Sequence, residues 1–153
     1  MDVPSFLVAS TANIVVGQRL VRKVCQHCIT SYTLTKRNIE ELERQIDFSH
    51  ILDALEKHGA ILSDGKKSPD SLLFFRGKGC KQCNDSGYKG RIGIYEILDV
   101  SSAIKTAILS NATPDEIMKV AIEEGMITML QDGFMKAKNG TTTVEEVLRV
   151  TKE

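Results

Sequence analysis

Two stretches decide how this chain is read: Val24-Cys25-Gln26-His27-Cys28, and Gly77-Lys78-Gly79-Cys80-Lys81-Gln82-Cys83. Each is a Cys-x-x-Cys turn, in which two thiolates converge on one ion while turn backbone N–H groups donate to the sulfurs. Two such turns complete a tetrahedral four-sulfur shell, which suits zinc and leaves no position open for a substrate. Cys25, Cys28, Cys80 and Cys83 are all the cysteines of the chain, and they predict one structural zinc site. Residues 29–79 separate the pairs, a longer span than in a compact zinc ribbon, so the metal pins a long excursion rather than a single hairpin. Gly77, Gly79, Gly87 and Gly90 flank the second turn and suit the tight backbone of a zinc knuckle.

The competing readings are weaker. A redox Cys-x-x-Cys pair belongs at a helix start after a strand, and both pairs here are expected in loops. Iron–sulfur motifs crowd their cysteines into close runs. His27 lies inside the first pair, but with four thiolates available it is expected to face solvent. His50 and His58 fall on a helix without a matching carboxylate pattern and are expected at the surface.

The surrounding composition fits a cytoplasmic protein. The chain has 153 residues, 42% hydrophobic and 26% charged, with 20 basic side chains against 20 acidic ones. A neutral balance argues against holding nucleic acid by bulk charge, and aromatics at 5% with no tryptophan leave few stacking platforms. No direct nucleic-acid contact is expected. No apolar run approaches the roughly 20 residues of a membrane-spanning helix, and Met1-Asp2-Val3-Pro4 lacks the basic start of a secretory signal. Intracellular thiols stay reduced, which favours metal ligands over disulfides.

The elements form an α+β, mostly helical pattern. Pro4 opens a predicted helix that carries Phe6, Leu7, Ile14, Leu20 and Val21 as far as Val24. So apolar a helix should cover something, and it reads as a cut edge. A short extended stretch follows over Ser31–Leu34. Next come a polar helix capped by Thr35 and Asn38, and a second helix over Ser49–His58 closed by Gly59. Ser63–Asp70 is a Gly-, Ser-, Lys- and Pro-containing loop, Ser71–Arg76 a buried strand, and Arg91–Leu98 a second strand. Ser101 or Ser102 starts a helix to Ser110. Thr113-Pro114-Asp115-Glu116 starts another that ends at Gly125. Thr128–Asn139 is closed by Gly140, and Thr143 caps the last helix, to about Thr151.

Catalytic signatures are missing. The sequence holds no Gly-x-x-x-x-Gly-Lys-Ser/Thr phosphate loop, no Gly-x-Ser-x-Gly elbow and no His-Glu-x-x-His helix. The acidic residues follow helix surfaces and caps. Arg19, Arg22, Lys23, Lys36 and Arg37 flank the first cysteine pair, and Lys78, Lys81, Lys89 and Arg91 flank the second. They read either as a solvated rim that offsets a zinc–tetrathiolate or as a site for phosphate or an acidic partner.

Several stretches together resemble one family. They are Pro4-Ser5-Phe6-Leu7-Val8-Ala9-Ser10; Gln18-Arg19-Leu20-Val21-Arg22-Lys23-Val24 with the first pair; and Gly87-Tyr88-Lys89-Gly90-Arg91-Ile92-Gly93-Ile94-Tyr95-Glu96 after the second. Gly125-Met126, Asp132-Gly133 and Gly140-Thr141-Thr142-Thr143-Val144-Glu145-Glu146-Val147-Leu148-Arg149-Val150 complete the set. This pattern resembles the segment after the catalytic core of the GspE/PilB family, the hexameric assembly ATPases of type II secretion and type IV pili.

The resemblance implies the C-terminal part of a RecA-like P-loop ATPase domain, with the phosphate loop, ATP and Mg2+ upstream. It implies the end of the ATPase core over 1–24, a tetracysteine zinc subdomain over 25–98 and a helical bundle over 99–153. Cys25, Cys28, Cys80 and Cys83 carry over as zinc ligands and no catalytic residue does. The expected partners are neighbouring ring subunits and an inner-membrane platform protein, and the expected place is cytoplasmic, peripheral to that membrane. The insert over 37–69 has the least support. The rival class is a zinc-ribbon-like nucleic-acid-binding or chaperone-type module. Repeats of the DnaJ type, however, carry glycine two residues after each pair, where this chain has Asp85.

Overall fold

The chain leaves its expected course at Ile14. In the computed structural model, which describes residues 3–60 and 72–151, α1 covers only Ser5–Thr11 and strand β1 runs over Ile14–Val24. The single helix predicted from Pro4 to Val24 is therefore a short helix and a long strand. Ile14-Val15-Val16 is a β-branched run that loses side-chain freedom in a helix, and Gly17 behind it is a poor helix interior. β1 pairs with β4, Tyr88–Asp99, in a two-stranded sheet.

The other elements follow the local signals. β2 (Ile29–Thr33) and β3 (Leu73–Gly77) pair antiparallel, with Ile29 opposite Gly77 and Thr33 opposite Leu73. α2 (Lys36–Glu43) starts in a capping box in which the Asn38 amide N–H donates to the Thr35 hydroxyl and the Thr35 N–H to the Asn38 side chain. α3 (Phe48–Lys57) ends at Gly59, whose φ is +69°. α4 (Ser102–Leu109), α5 (Pro114–Glu123), α6 (Met129–Lys138) and α7 (Val144–Thr151) complete the α+β fold. The predicted Ser63–Asp70 loop lies outside the described residues, as does Ser71.

Two units divide these elements. The first, Met1–Gln18 with Tyr95–Thr128, centres on Val100, Ile104 and Ala121, packed by Leu98, Ile117 and Met126. Its helices are capped as the sequence predicts: the Ile104 amide donates to the Ser101 hydroxyl, and Thr113 and Glu116 bond reciprocally. It also leaves Phe6, Ile14, Val15, Val16 and Ile97 half or more exposed.

The second unit, Arg19–Ile94 with Met129–Glu153, holds the larger core. Leu34, Leu42, Phe48, Ile51, Leu55 and Phe74 pack there with Phe134, Ala137, Val144 and Val147. Phe134 meets Phe48 and Phe74 edge-on, at centroid distances of 5.8 and 6.4 Å. The insert helices α2 and α3 are thus part of the same core as α6 and α7. A smaller cluster of Val21, Ile94 and Val150 sits in the same unit.

Candidate metal centre

The second unit brings both cysteine pairs together. Each pair closes a tight turn, the Cys28 amide donating to the Cys25 carbonyl at 3.2 Å and the Cys83 amide to the Cys80 carbonyl at 3.1 Å. Lys81–Cys83 is a single 3-10 turn followed by left-handed Asn84 and Asp85. The turns are also joined to each other. The Lys78 N–H donates to the Cys28 carbonyl at 3.0 Å, and the Cys25 N–H to the Gly87 carbonyl at 2.9 Å. Gly77 and Gly87 touch backbone to backbone: a Cβ on Gly77 would lie 2.1 Å from the Gly87 oxygen. Of the glycines expected to flank the knuckle, Gly77 and Gly87 are required by that crossing.

The four sulfurs gather into one cluster. Sγ of Cys25 lies 3.9 Å from that of Cys80, Cys28 lies 3.9 Å from Cys83, and Cys80 lies 3.7 Å from Cys83. All four sulfurs fall within 4.8 Å of one another, and none is in a disulfide. A tetrahedron with zinc–sulfur bonds of about 2.3 Å has edges of about 3.8 Å. The four cysteines are therefore positioned to hold a metal ion, and their all-thiol donor set fits one.

Electrostatics differ among the thiols. Burial pushes Cys28 up to about 12 and also raises Cys80. Burial would raise Cys83 too, but backbone N–H groups of Cys80 and Gly87, each 3.3 Å from its sulfur, outweigh it and bring it down to about 6. His27, His50 and His58 are exposed, as expected.

The basic rim is divided. Lys23, Lys36, Arg37, Lys78, Lys81, Lys89 and Arg91 are exposed, whereas Arg19 and Arg22 have internal partners. Arg19 donates to the Val150 carbonyl, closing the end of α7. Arg22 donates to Glu146, as does Arg149, and its guanidinium lies 4.2 Å over the Tyr88 ring. Glu146 is 1% exposed, so the expectation that acidic residues follow surfaces and caps fails at this one. Burial alone would raise its carboxyl, but the bonds from Arg149 and Arg22 hold it down to about 2. The signal was present in the sequence as Glu146 two residues past the apolar Val144 on α7, without a reason to single it out.

A separate groove of about 600 Å³ lies along β2, α2 and α7, bordered by Tyr32, Asn38, Arg76 and Glu145. Among the described residues its lining holds no histidine, cysteine, serine or lysine.

Comparison with known proteins gives the family. The profile of the type II/IV secretion system protein family matches residues 1–149. The type IV pilus assembly ATPase PilB of Thermus thermophilus is 37% identical over 153 residues, all of this chain and 15% of that protein. The type II secretion system ATPase E of Vibrio cholerae is 34% identical over 153 residues, again all of this chain and 26% of its own length. PilB of Pseudomonas aeruginosa is 32% identical over 155 residues, with 23% of it covered. The chain spans at most about a quarter of these relatives. With a family profile matched along nearly its whole length, this chain belongs to the type II/IV secretion system protein family.

Proposed function

We propose that this chain is the C-terminal, zinc-binding portion of a hexameric secretion or type IV pilus assembly ATPase, and that it supports and couples the motor without catalysing a reaction itself. The observation that carries this reading is the four-sulfur cluster: three separations of 3.7–3.9 Å, with all four sulfurs within 4.8 Å of one another, suit zinc in a shell with no open position. Cys25, Cys28, Cys80 and Cys83 hold the ion. It supplies cross-linking, not Lewis-acid chemistry, since a closed four-thiolate zinc cannot take up substrate.

ATP and Mg2+ belong to the parent protein's phosphate loop, in a RecA-like P-loop domain of which this chain contributes the C-terminal part. The exposed apolar residues of α1 and β1, Phe6, Ile14, Val15 and Val16, support such a setting, because contiguous apolar surface is normally covered. The partners are neighbouring ring subunits and the inner-membrane platform protein, with the whole on the cytoplasmic side of that membrane. Among the described residues no helix is long and apolar enough to cross a membrane.

The test is Cys28→Ser and Cys83→Ser in the full-length ATPase that carries this segment, with zinc content, ring assembly and pilus or secretion output measured together. Loss of zinc with loss of output supports the reading, and zinc loss with normal assembly and output refutes the coupling role. The rival nucleic-acid module makes a different prediction. Labelled DNA would then bind at micromolar concentration in a salt-sensitive way, which the neutral balance of this chain does not favour.

A further inference from the structure

Residues 140–143, between α6 and α7, together with Glu146 in the first turn of α7, grip the metal arms. The Val24 N–H donates to the Thr141 carbonyl at 2.9 Å, and the Thr142 hydroxyl donates to the Arg22 carbonyl at 2.8 Å. The Arg22 N–H and guanidinium both donate to Glu146, at 2.9 and 2.7 Å. The Gln26 side-chain amide reaches the Gly140 carbonyl at 3.4 Å, between the cysteines of the first pair. On the other arm, Tyr88, just beyond the second pair, shares a 3.1 Å hydrogen bond with the Thr143 hydroxyl and stacks on Arg22.

Thr142, Thr143 and Glu146 are each at most 1% exposed. Burying three polar side chains is unfavourable unless they are satisfied, and here each has a partner on the strand that enters the first cysteine pair or on the one that follows the second, with Arg149 adding to the bonds of Glu146. Gly140 itself, at φ +72°, lets the strap pass within 3.2 to 3.3 Å of Ile29 and Phe75 when a Cβ is built there.

We infer that Thr142, Thr143 and Glu146 are positioning residues for the metal centre: the strap holds both cysteine arms at bonding separation, so metal occupancy and the docking of α7 are energetically coupled. The inference rests on the reading that the four cysteines take a metal. Outer partners of metal ligands commonly change affinity by 10- to 100-fold, and the coupling is reciprocal. Strap variants lose metal, and metal removal loosens the strap.

The experiment uses the 153-residue chain with Co(II) as probe, followed by its thiolate charge-transfer and d–d absorption and by competition with a chelator. Glu146→Gln and Thr142→Val are compared with Ile51→Ala, which weakens the core of the same unit from α3 and changes no strap side chain. The expected result is roughly 10-fold or greater loss of Co(II) affinity in the strap variants, with altered d–d bands, and little change in Ile51→Ala.

Hydrogen exchange on the unmutated chain is the second measurement and needs no variant. Chelation should speed exchange at the Arg22 and Val24 amides while leaving those of α3 protected. Equal Co(II) affinity in wild type and strap variants overturns the inference. So does a matching loss in Ile51→Ala, or unchanged exchange at Arg22 and Val24. A wild-type chain that takes up no Co(II) overturns the metal reading, and the inference with it.

Discussion

Gly133→Ala sets two effects of known sign against each other. Gly133 lies inside α6, where replacing glycine by alanine in an exposed helix stabilises by about 0.5–1 kcal/mol. Here, however, the glycine is buried against α7. A Cβ at this position would lie 2.5 Å from Cγ1 of Val147, 3.0 Å from Cγ2 and 3.3 Å from Cβ. Val147 cannot swing aside easily, because a β-branched side chain in a helix has one strongly preferred rotamer, and this one is fully buried in the main core. Overpacking of a close-packed interior costs about 1–3 kcal/mol. Steric cost therefore wins, with a net loss of about 1–2 kcal/mol after the propensity gain.

The assay is a denaturant midpoint followed by far-ultraviolet circular dichroism, run as a double-mutant cycle with Val147→Ala. Removing both Cγ atoms removes the collision, so Gly133→Ala in the Val147→Ala background should be neutral or stabilising by about 0.5–1 kcal/mol. A Gly133→Ala that stabilises the parent chain, or one with the same effect in both backgrounds, would show that α6 and α7 do not approach as described.

Three further outcomes follow from the same structure. Glu146 has a folded-state carboxyl held down to about 2 against an ordinary 4.5, so its contribution to stability is present above about 4.5 and is lost as pH falls through about 2. A carbon-13 titration of its carboxyl should show no inflection near 4.5, and one there in the folded chain would refute the assignment. Gly87→Ala should destabilise clearly more than Gly59→Ala. Both sites have positive φ, but a Cβ on Gly87 meets the Gly77 carbonyl oxygen at 2.7 Å whereas nothing lies within 4 Å of one on Gly59; equal midpoint shifts would contradict this. Native mass spectrometry of the zinc-loaded chain should find one zinc per chain and none in Cys80→Ser. A Cys80→Ser chain that retains its zinc as tightly would remove that residue from the shell.

What could be read in the sequence was mostly local. Thr35, Ser101, Thr113 and Thr143 each stand at a helix start, and in each case a backbone N–H three residues on donates to that hydroxyl. Gly59, Gly125 and Gly140 take positive φ near the ends of their helices. These signals need only a few neighbouring residues, and so they survive without a tertiary structure. The Ile14–Val24 misreading has the opposite origin. Its apolar residues also recur at helical spacing; the β-branched run Ile14–Val16 and Gly17 weaken the helix locally, and the pairing with β4, brought from residues 88–99, completes the strand. Glu146 was missed for the same reason: its two arginine partners include one 124 residues away, and a lone acid on a short helix gives no sign of that.

The cysteine cluster breaks this rule, since its parts are also remote in sequence and yet their convergence was legible. The difference lies in the chemistry of the side chain. An acid or a β-branched residue has many acceptable surroundings, so its partner cannot be inferred from its identity. A reduced Cys-x-x-Cys turn supplies half of a four-thiolate shell, and zinc completes that shell only when another half arrives. The second pair therefore had to converge on the first, whatever the fold between them. Residues 140–146 then show how the protein meets that demand: the convergence is not left to the metal alone, because Thr141, Thr142 and Glu146 bond the strand entering the first pair while Thr143 bonds Tyr88 beyond the second.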